Sequence, residues 1–272
     1  MRGENTFTLS YYPIHEENMK ILVCIKQIPD PDHIPGFNEY GIWEKALVSF
    51  RMNRYDEQAL EEALLFKDAD TSTEIHAVTI GPENSSAAAK RALEKGAAEA
   101  WHIVTGDEWL TAGETSYLIA GFARDREFDL ILTGVMSEDL MQFQTGPMTA
   151  ARLGIPCAVS AVNIIRADEK TFEVTCEIEG GRAERLLIKM PCLISVQTGP
   201  HRPRYPSLSN VLRAKGIPVR YPEFVMPPEG SFTGTHSGFS NPPASLKGRE
   251  ITGTITEKAD QLIQIIHGMG LL

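Results

Sequence analysis

Residues 19–30 read MKILVCIKQIPD, an apolar run from Ile21 to Ile25 with a charged residue at each end and a proline at Pro29. A run this short and this apolar is the pattern of a strand covered on both faces. Outward from it the chain alternates strand-like and helix-like segments. Asp56 to Lys67 places Ala59, Leu60, Ala63, Leu64 and Leu65 on one helical face, with Glu57, Glu61 and Glu62 largely off it. Glu74 to Ile80 reads as a second strand stopped by Gly81-Pro82, followed by a helix from Ser85 to Lys95 closed at Gly96. Ala100–Val104 is a third strand, Thr115–Asp125 a helix, and Phe128–Thr133 a strand running into Gly134. A further helix is expected to start near Gly146-Pro147, since proline is pre-organised for a first turn. Strands alternating with helices in this way predict an α/β, Rossmann-like parallel sheet with helices on both faces.

After Gly154 the texture changes. Ala161–Ile165, Thr171–Ile178 and Arg185–Ile188 alternate with period two around Glu179-Gly180-Gly181, which predicts an antiparallel hairpin addition. Leu193–Val196 is one more strand. The stretch QTGPHRPRYPSLSNVLRAKGIP, residues 197–218, has the composition of an exposed, semi-rigid loop. Residues 222–249 are dense in Pro, Gly and Ser and read as a linker arm, and 250–272 carry a short amphipathic helix over Glu257–Met269. The expected organisation is thus an extension at 1–18, a nucleotide-binding domain at 19–221, the arm, and a partner-docking helix at its end.

The chain has 272 residues, 42% of them hydrophobic, and a net charge of −10. An acidic balance sets an unfavourable field against a polyphosphate backbone, which argues against nucleic acid as a partner. No apolar run is long enough to span a bilayer, so membrane insertion is not expected. The four cysteines, Cys24, Cys157, Cys176 and Cys192, form no CxxC and predict neither a zinc site nor a disulfide frame. The first eighteen residues show no apolar signal core, which gives a cytoplasmic expectation.

The chemistry on offer is that of binding. Strand ends leading into helix N-termini are where open α/β sheets hold ligands. Two such places stand out: the end of the first strand at Cys24, and Thr133-Gly134 with the loop to Gln144-Thr145-Gly146-Pro147, where backbone N–H groups, an amide and hydroxyls can cradle a phosphate. There is no GxGxxG, Walker lysine loop, GxSxG or HExxH. His76 and His102 lie in strand-like runs and read as core or edge residues, whereas His201, His236 and His267 read as solvent-facing. Arg202, Arg204 and Arg213 stand beside Tyr205, Pro206 and Leu208, an apolar group typical of a contact surface.

Taken together, these motifs resemble the beta subunit of electron transfer flavoprotein. KILVCIKQIPDPD at 20–32, MNRYDEQALEEAL at 52–64, VTIGP at 78–82, LTG at 132–134 with QTGPM at 144–148, EGG at 179–181 with MPCLISV at 190–196, and PRYPSLSNVLRAK at 203–215 follow the family's order and spacing. ITGTITEKADQLIQII at 251–266 is similar to the C-terminal helix of bacterial members. The resemblance implies an electron-carrier subunit, not itself an enzyme, in a heterodimer whose alpha subunit holds most of a shared FAD. It implies electrons accepted from flavin dehydrogenases and passed to a membrane or iron–sulfur oxidoreductase. It further implies a structural AMP in the beta pocket, or a second FAD there in electron-bifurcating members. Carried over by position, Cys24, Asn53, Asp56, Ile80, Gly134, Ser137, Gln144, Thr145 and Gly146 would line that pocket, and Leu208, with Tyr205 and Arg204 beside it, would form the partner-recognition loop. Arg54 stands where the family has proline, and Phe143 where an asparagine often precedes the glutamine. The Gln144-Thr145 pair favours AMP. The competing reading is a stand-alone adenine-nucleotide-binding module resembling universal stress proteins, which leaves the EGG turn, the PRYPSLSN loop and the terminal helix without a purpose.

Overall fold

The computed structural model describes residues 18–33, 48–106, 109–225, 231–232, 248 and 250–271. The N-terminal extension expected at 1–18 and most of the arm expected at 222–249 lie outside the described residues. The described residues up to Phe232 belong to one compact unit and those from Gly248 to a second.

In the first unit, β1 (Lys20–Ile25) runs parallel to β4 (Glu74–Gly81) on one side and to β6 (Leu130–Gly134) on the other. β5 (Glu99–Val104) extends the sheet beyond β4, while β10 (Cys192–Val196) and β7 (Cys157–Arg166) extend it beyond β6, all parallel. Among the described residues the sheet has eight strands in the order β5-β4-β1-β6-β10-β7-β8-β9. The expected hairpin is a three-stranded meander: β8 (Thr171–Ile178) pairs antiparallel with both β7 and β9 (Arg182–Lys189). Gly180 and Gly181 make its turn at φ 76° and 69°, values that only glycine adopts cheaply.

Helices cover both faces, which is why β1 is apolar throughout. α1 (Arg54–Ala69) and α2 (Ser86–Lys95) pack on the face carrying Ile21, Val23, Ile75 and Ala77. α3 (Ala112–Arg124) and α4 (Thr145–Leu153) pack on the face carrying Leu22, Cys24, Val78 and Leu193. Three differences from the sequence expectation have local causes. First, α3 starts at Ala112 rather than Thr115, because Thr111 and Glu114 form a reciprocal capping box. Second, β2 (Gln27–Pro29) and β3 (Phe50–Met52) form a separate antiparallel ribbon too short to show a period. Third, a helix α5 (Leu208–Ala214), capped by the Ser207 hydroxyl, occupies part of the stretch expected to be loop.

The second unit contains α6 (Ile255–Gly268), also opened by a capping box, from Thr254 and Glu257. Its Leu262 and Ile263 are about half exposed within the chain. No described helix is long and apolar enough to cross a membrane.

On the meander side the core is closed by Phe172, fully buried and edge-on to Phe66 at 5.5 Å. Phe172→Ala is expected to lower unfolding free energy by about 3–5 kcal/mol in urea titration, the cost of a large aromatic cavity.

Candidate functional site

The strand order turns around at β1: the chain builds outward through β4 and β5, then returns to lay β6 on the opposite side. Diverging connections leave a crevice at the carboxyl ends of strands placed like this. A cleft lies there, between Cys24 to Lys26 of β1, Val78, Ile80 and Gly81 of β4, and Thr133 and Gly134 of β6. The loop 135–144 and the first residues of α4 form one wall, and Leu110, Ala112, Thr115 and Ile119 form the other.

One end of the cleft is apolar, through Val78, Ile80, Leu110 and Ile119. The other end is the N-terminus of α4. Gln144 occupies the cap position without a side-chain cap bond, and the first turn carries no acidic residue. Its free N–H groups and helix dipole therefore face the cleft unopposed. Against them stands the Thr133 hydroxyl, buried and without a hydrogen-bond partner. Gly146 lets the helix come this close, since a Cβ there would lie 2.8 Å from Thr133 Oγ1. Just upstream, Met141 and Phe143 hold φ of 49° and 58°. Left-handed backbone at non-glycine residues costs about 1–3 kcal/mol each, and such positions cluster at ligand sites.

The loop is pinned from behind. Asn53 donates to the Met136 carbonyl at 2.8 Å and accepts from the Glu138 amide at 3.2 Å. Arg51 Nη2 meets both Glu138 oxygens at 3.2 Å, and Lys26 Nζ pairs with Asp139 at 2.7 Å. Asp56 joins the two central strands at their ends, accepting from the Lys26 amide at 2.7 Å and the Gly134 amide at 3.0 Å. A side chain at Gly134 would run into that carboxylate and into Tyr55. Burial pushes the Asp56 carboxyl from 3.8 up to about 7, against the pull of the two amides, the Asn53 side chain and the Lys26 charge. Burial, with Asp56 nearby, also holds the Cys24 thiol far above its ordinary range, so it is a packed thiol and not a nucleophile.

Of the residues expected to line the pocket, Cys24, Asp56, Ile80, Gly134, Ser137, Gln144, Thr145 and Gly146 do so. Asn53, fully buried, stands behind the loop as its anchor. Lys26 and Thr133 lie in the two strand ends that sequence reasoning singled out, although no role was assigned to either, and the whole α3 wall was missed. The signal of the first two is that of polar residues at the ends of β1 and β6, whereas the α3 wall lies in a segment with no motif.

The segment expected to recognise a partner lies elsewhere on the same unit. Tyr205 is 90% exposed and Leu208 75%. Arg204 beside them points inward: its guanidinium contacts Glu61 and Asp68 of α1. Arg213 is likewise engaged, donating to the Leu93 and Ala97 carbonyls.

A sequence model described as the electron transfer flavoprotein domain matches residues 46–223. The chain is 32% identical over 259 residues to the caffeyl-CoA reductase-Etf complex subunit CarD of Acetobacterium woodii, covering 90% of this chain and 97% of the relative. It is 27% identical over 265 residues, 92% of the chain and 98% of the relative, to the electron transfer flavoprotein subunit beta of Methylophilus methylotrophus. The mitochondrial subunit beta of Arabidopsis thaliana is 33% identical over 211 residues, 74% of this chain and 80% of the relative.

Asp56 gives the site a pH signature. Between 3.8 and about 7 the folded chain holds a proton that the unfolded chain releases. Its contribution to stability is therefore complete below the lower value and is lost as pH rises through the upper one. In urea titrations from about pH 5 to about pH 8, Asp56→Asn is expected to remove that downward slope. At about pH 5 the variant should be weaker by about 1–3 kcal/mol, because an amide oxygen cannot satisfy both backbone donors, and the gap should narrow as the wild type loses stability toward about pH 8.

Proposed function

The chain belongs to the electron transfer flavoprotein family as a beta subunit, and from that premise we propose that it pairs with an alpha subunit, holds a structural AMP in the cleft, and docks dehydrogenases through Leu208. Members of this family are electron-transfer subunits of flavoproteins and not classical enzymes. Bound FAD, held mainly by the alpha subunit, supplies the redox chemistry. The work of this chain is to bind and orient, and to keep its own ionisable groups from competing.

The observation that carries the AMP reading is the meeting of the uncapped α4 N-terminus with the unpartnered Thr133 hydroxyl at one end of a slot whose other end is apolar. A 5′-monophosphate has the charge that such a helix end favours, and an adenine ring has the flat apolar body that Val78, Ile80 and Ile119 would cover. In this reading Thr145, Gly146, Gln144, Ser137 and Thr133 hold the phosphate end. Lys26, paired with Asp139 at the cleft wall, adds a positive charge nearby. A second FAD would need the same phosphate end, and only the Gln144-Thr145 pair speaks for AMP over it.

Electrons are taken from flavin dehydrogenases and delivered to a membrane or iron–sulfur oxidoreductase. Tyr205 and Leu208 supply exposed apolar surface to the donor, and Pro203 and Pro206 restrict the backbone that carries them.

Co-expression with an alpha subunit, purification, denaturation and chromatography of the released nucleotides should give one FAD and one AMP per heterodimer. Two FAD and no AMP would replace the structural nucleotide with a second flavin, and a colourless chain without a partner would overturn the heterodimer reading. Leu208→Ala is expected to raise the KM for a donor dehydrogenase by about tenfold, the scale of a docking anchor, with an unchanged unfolding midpoint.

A further inference from the structure

The acidic residues of α1 do not face water. Glu61 and Glu62 are 4% and 6% exposed, although the helical pattern sets them off the apolar face. They are turned onto the segment 201–204. Glu61 takes the Arg204 backbone amide at 2.9 Å, Arg204 Nε at 2.9 and 3.1 Å, and Nη2 at 2.8 Å. Glu62 meets His201 Nδ1 at 3.0 Å, and Gln58 donates to the His201 carbonyl at 2.9 Å. From α2, the buried Lys95 donates to the Arg204 carbonyl and pairs with Glu57 at 2.8 Å. Both backbone groups of Arg204 are thus held by buried charged side chains.

Burying charge is costly, and an ion pair of this kind commonly returns no more stability than apolar packing would. A clamp serving the fold alone would draw apolar surface inward. This one fixes a strap whose next residues, Tyr205 and Leu208, are thrust into solvent. In a slack loop two such side chains would fold back onto the nearest apolar surface, and docking would first have to extract and order them.

We propose that Glu61 is a positioning residue for docking: its grip on Arg204 fixes the strap in the shape that presents Tyr205 and Leu208 to the electron donor. Arg204 serves the partner through the strap and not by touching it. This rests on the docking role of Leu208 above.

The test uses the full chain with its alpha subunit and a flavin-dependent dehydrogenase that reduces the wild-type complex. In Glu61→Gln, exchange at the Arg204 amide, which donates to Glu61, is expected to quicken about tenfold, the loss of a charge-assisted hydrogen bond. The donor KM should rise by a similar factor, with kcat within about twofold of wild type. Glu61→Asp, which keeps the charge and loses reach, should fall between, and serves if Glu61→Gln does not fold. The double variant Glu61→Met/Arg204→Met removes both charges, so it should recover thermal stability while the backbone amide at position 204 stays fast. Wild-type exchange and KM in the single variants would overturn the proposal, as would a double variant that recovers slow exchange at the position 204 amide together with stability. If Leu208→Ala leaves KM unchanged, the docking reading itself fails. If Leu208→Ala raises KM and the Glu61 variants do not, docking stands and the positioning role falls.

Discussion

The carboxylate of Asp56 is the knot of this molecule. At the switch point of a doubly wound sheet the chain leaves β1 in one direction and β6 in the other, and where the β1–β6 pairing ends the amides of Lys26, just past β1, and Gly134, the last residue of β6, have no partner across that ladder. Asp56 takes both, the Lys26 amide and the Gly134 amide, from the first turn of α1. Two further features follow. Gly134 must lack a side chain, because the carboxylate and Tyr55 occupy the space. The crevice between the strand ends is held at a fixed width, with the loop from Val135 to Gln144 hung from Asn53 three residues before the knot. The energetic tension is also local: burial favours the protonated carboxyl, while the two amides, the Asn53 side chain and the Lys26 charge pull the other way and only partly offset it.

α1 carries a second task along its length. Its first turn organises the cleft through Asn53 and Asp56, and its next turns organise the strap through Gln58, Glu61 and Glu62. The apolar residues Ala59, Leu60, Ala63 and Leu64 fasten it to the sheet between those two polar duties. One rigid helix therefore sets the geometry of both the cleft and the strap. Each is built from segments distant in sequence that have no core of their own.

The parts legible in the sequence were those whose signal is local and periodic. β1, β4 and β6 are continuous apolar runs, and a strand buried on both faces has no other composition available. The pocket residues near strand ends were legible for the same reason, because the crevice is a consequence of the sheet. The parts that stayed hidden depend on distant partners. Glu61 and Glu62 read only as residues off the apolar face, since nothing near them in sequence announces Arg204 143 residues on or His201 139 residues on. Asn53 read as a pocket residue, but its amide is spent on the Met136 carbonyl. α5 was masked by the prolines before it, while Ser207 quietly supplied its cap. The early start of α3 was legible in Thr111 and Glu114, a capping box three residues apart.

The chemistry of the cleft is that of a holder. Cys24, its sulfur nucleophile by residue type, is kept protonated by burial and by Asp56 beneath it. Lys26 has its ammonium on Asp139. Ser137 is reached by that ammonium only at 3.4 Å and has no base beside it to activate its hydroxyl. What remains unopposed is a fixed positive potential, the bare N-terminus of α4, and a hydroxyl awaiting a partner. Fixed donors facing a buried slot are suited to binding an anion. A nucleotide seated there would fill the crevice that Asp56 keeps open and would tie α4 to β6, so its contribution is rigidity. Rigidity is what an electron carrier asks of the subunit beside its flavin, since transfer depends on distances that must not drift.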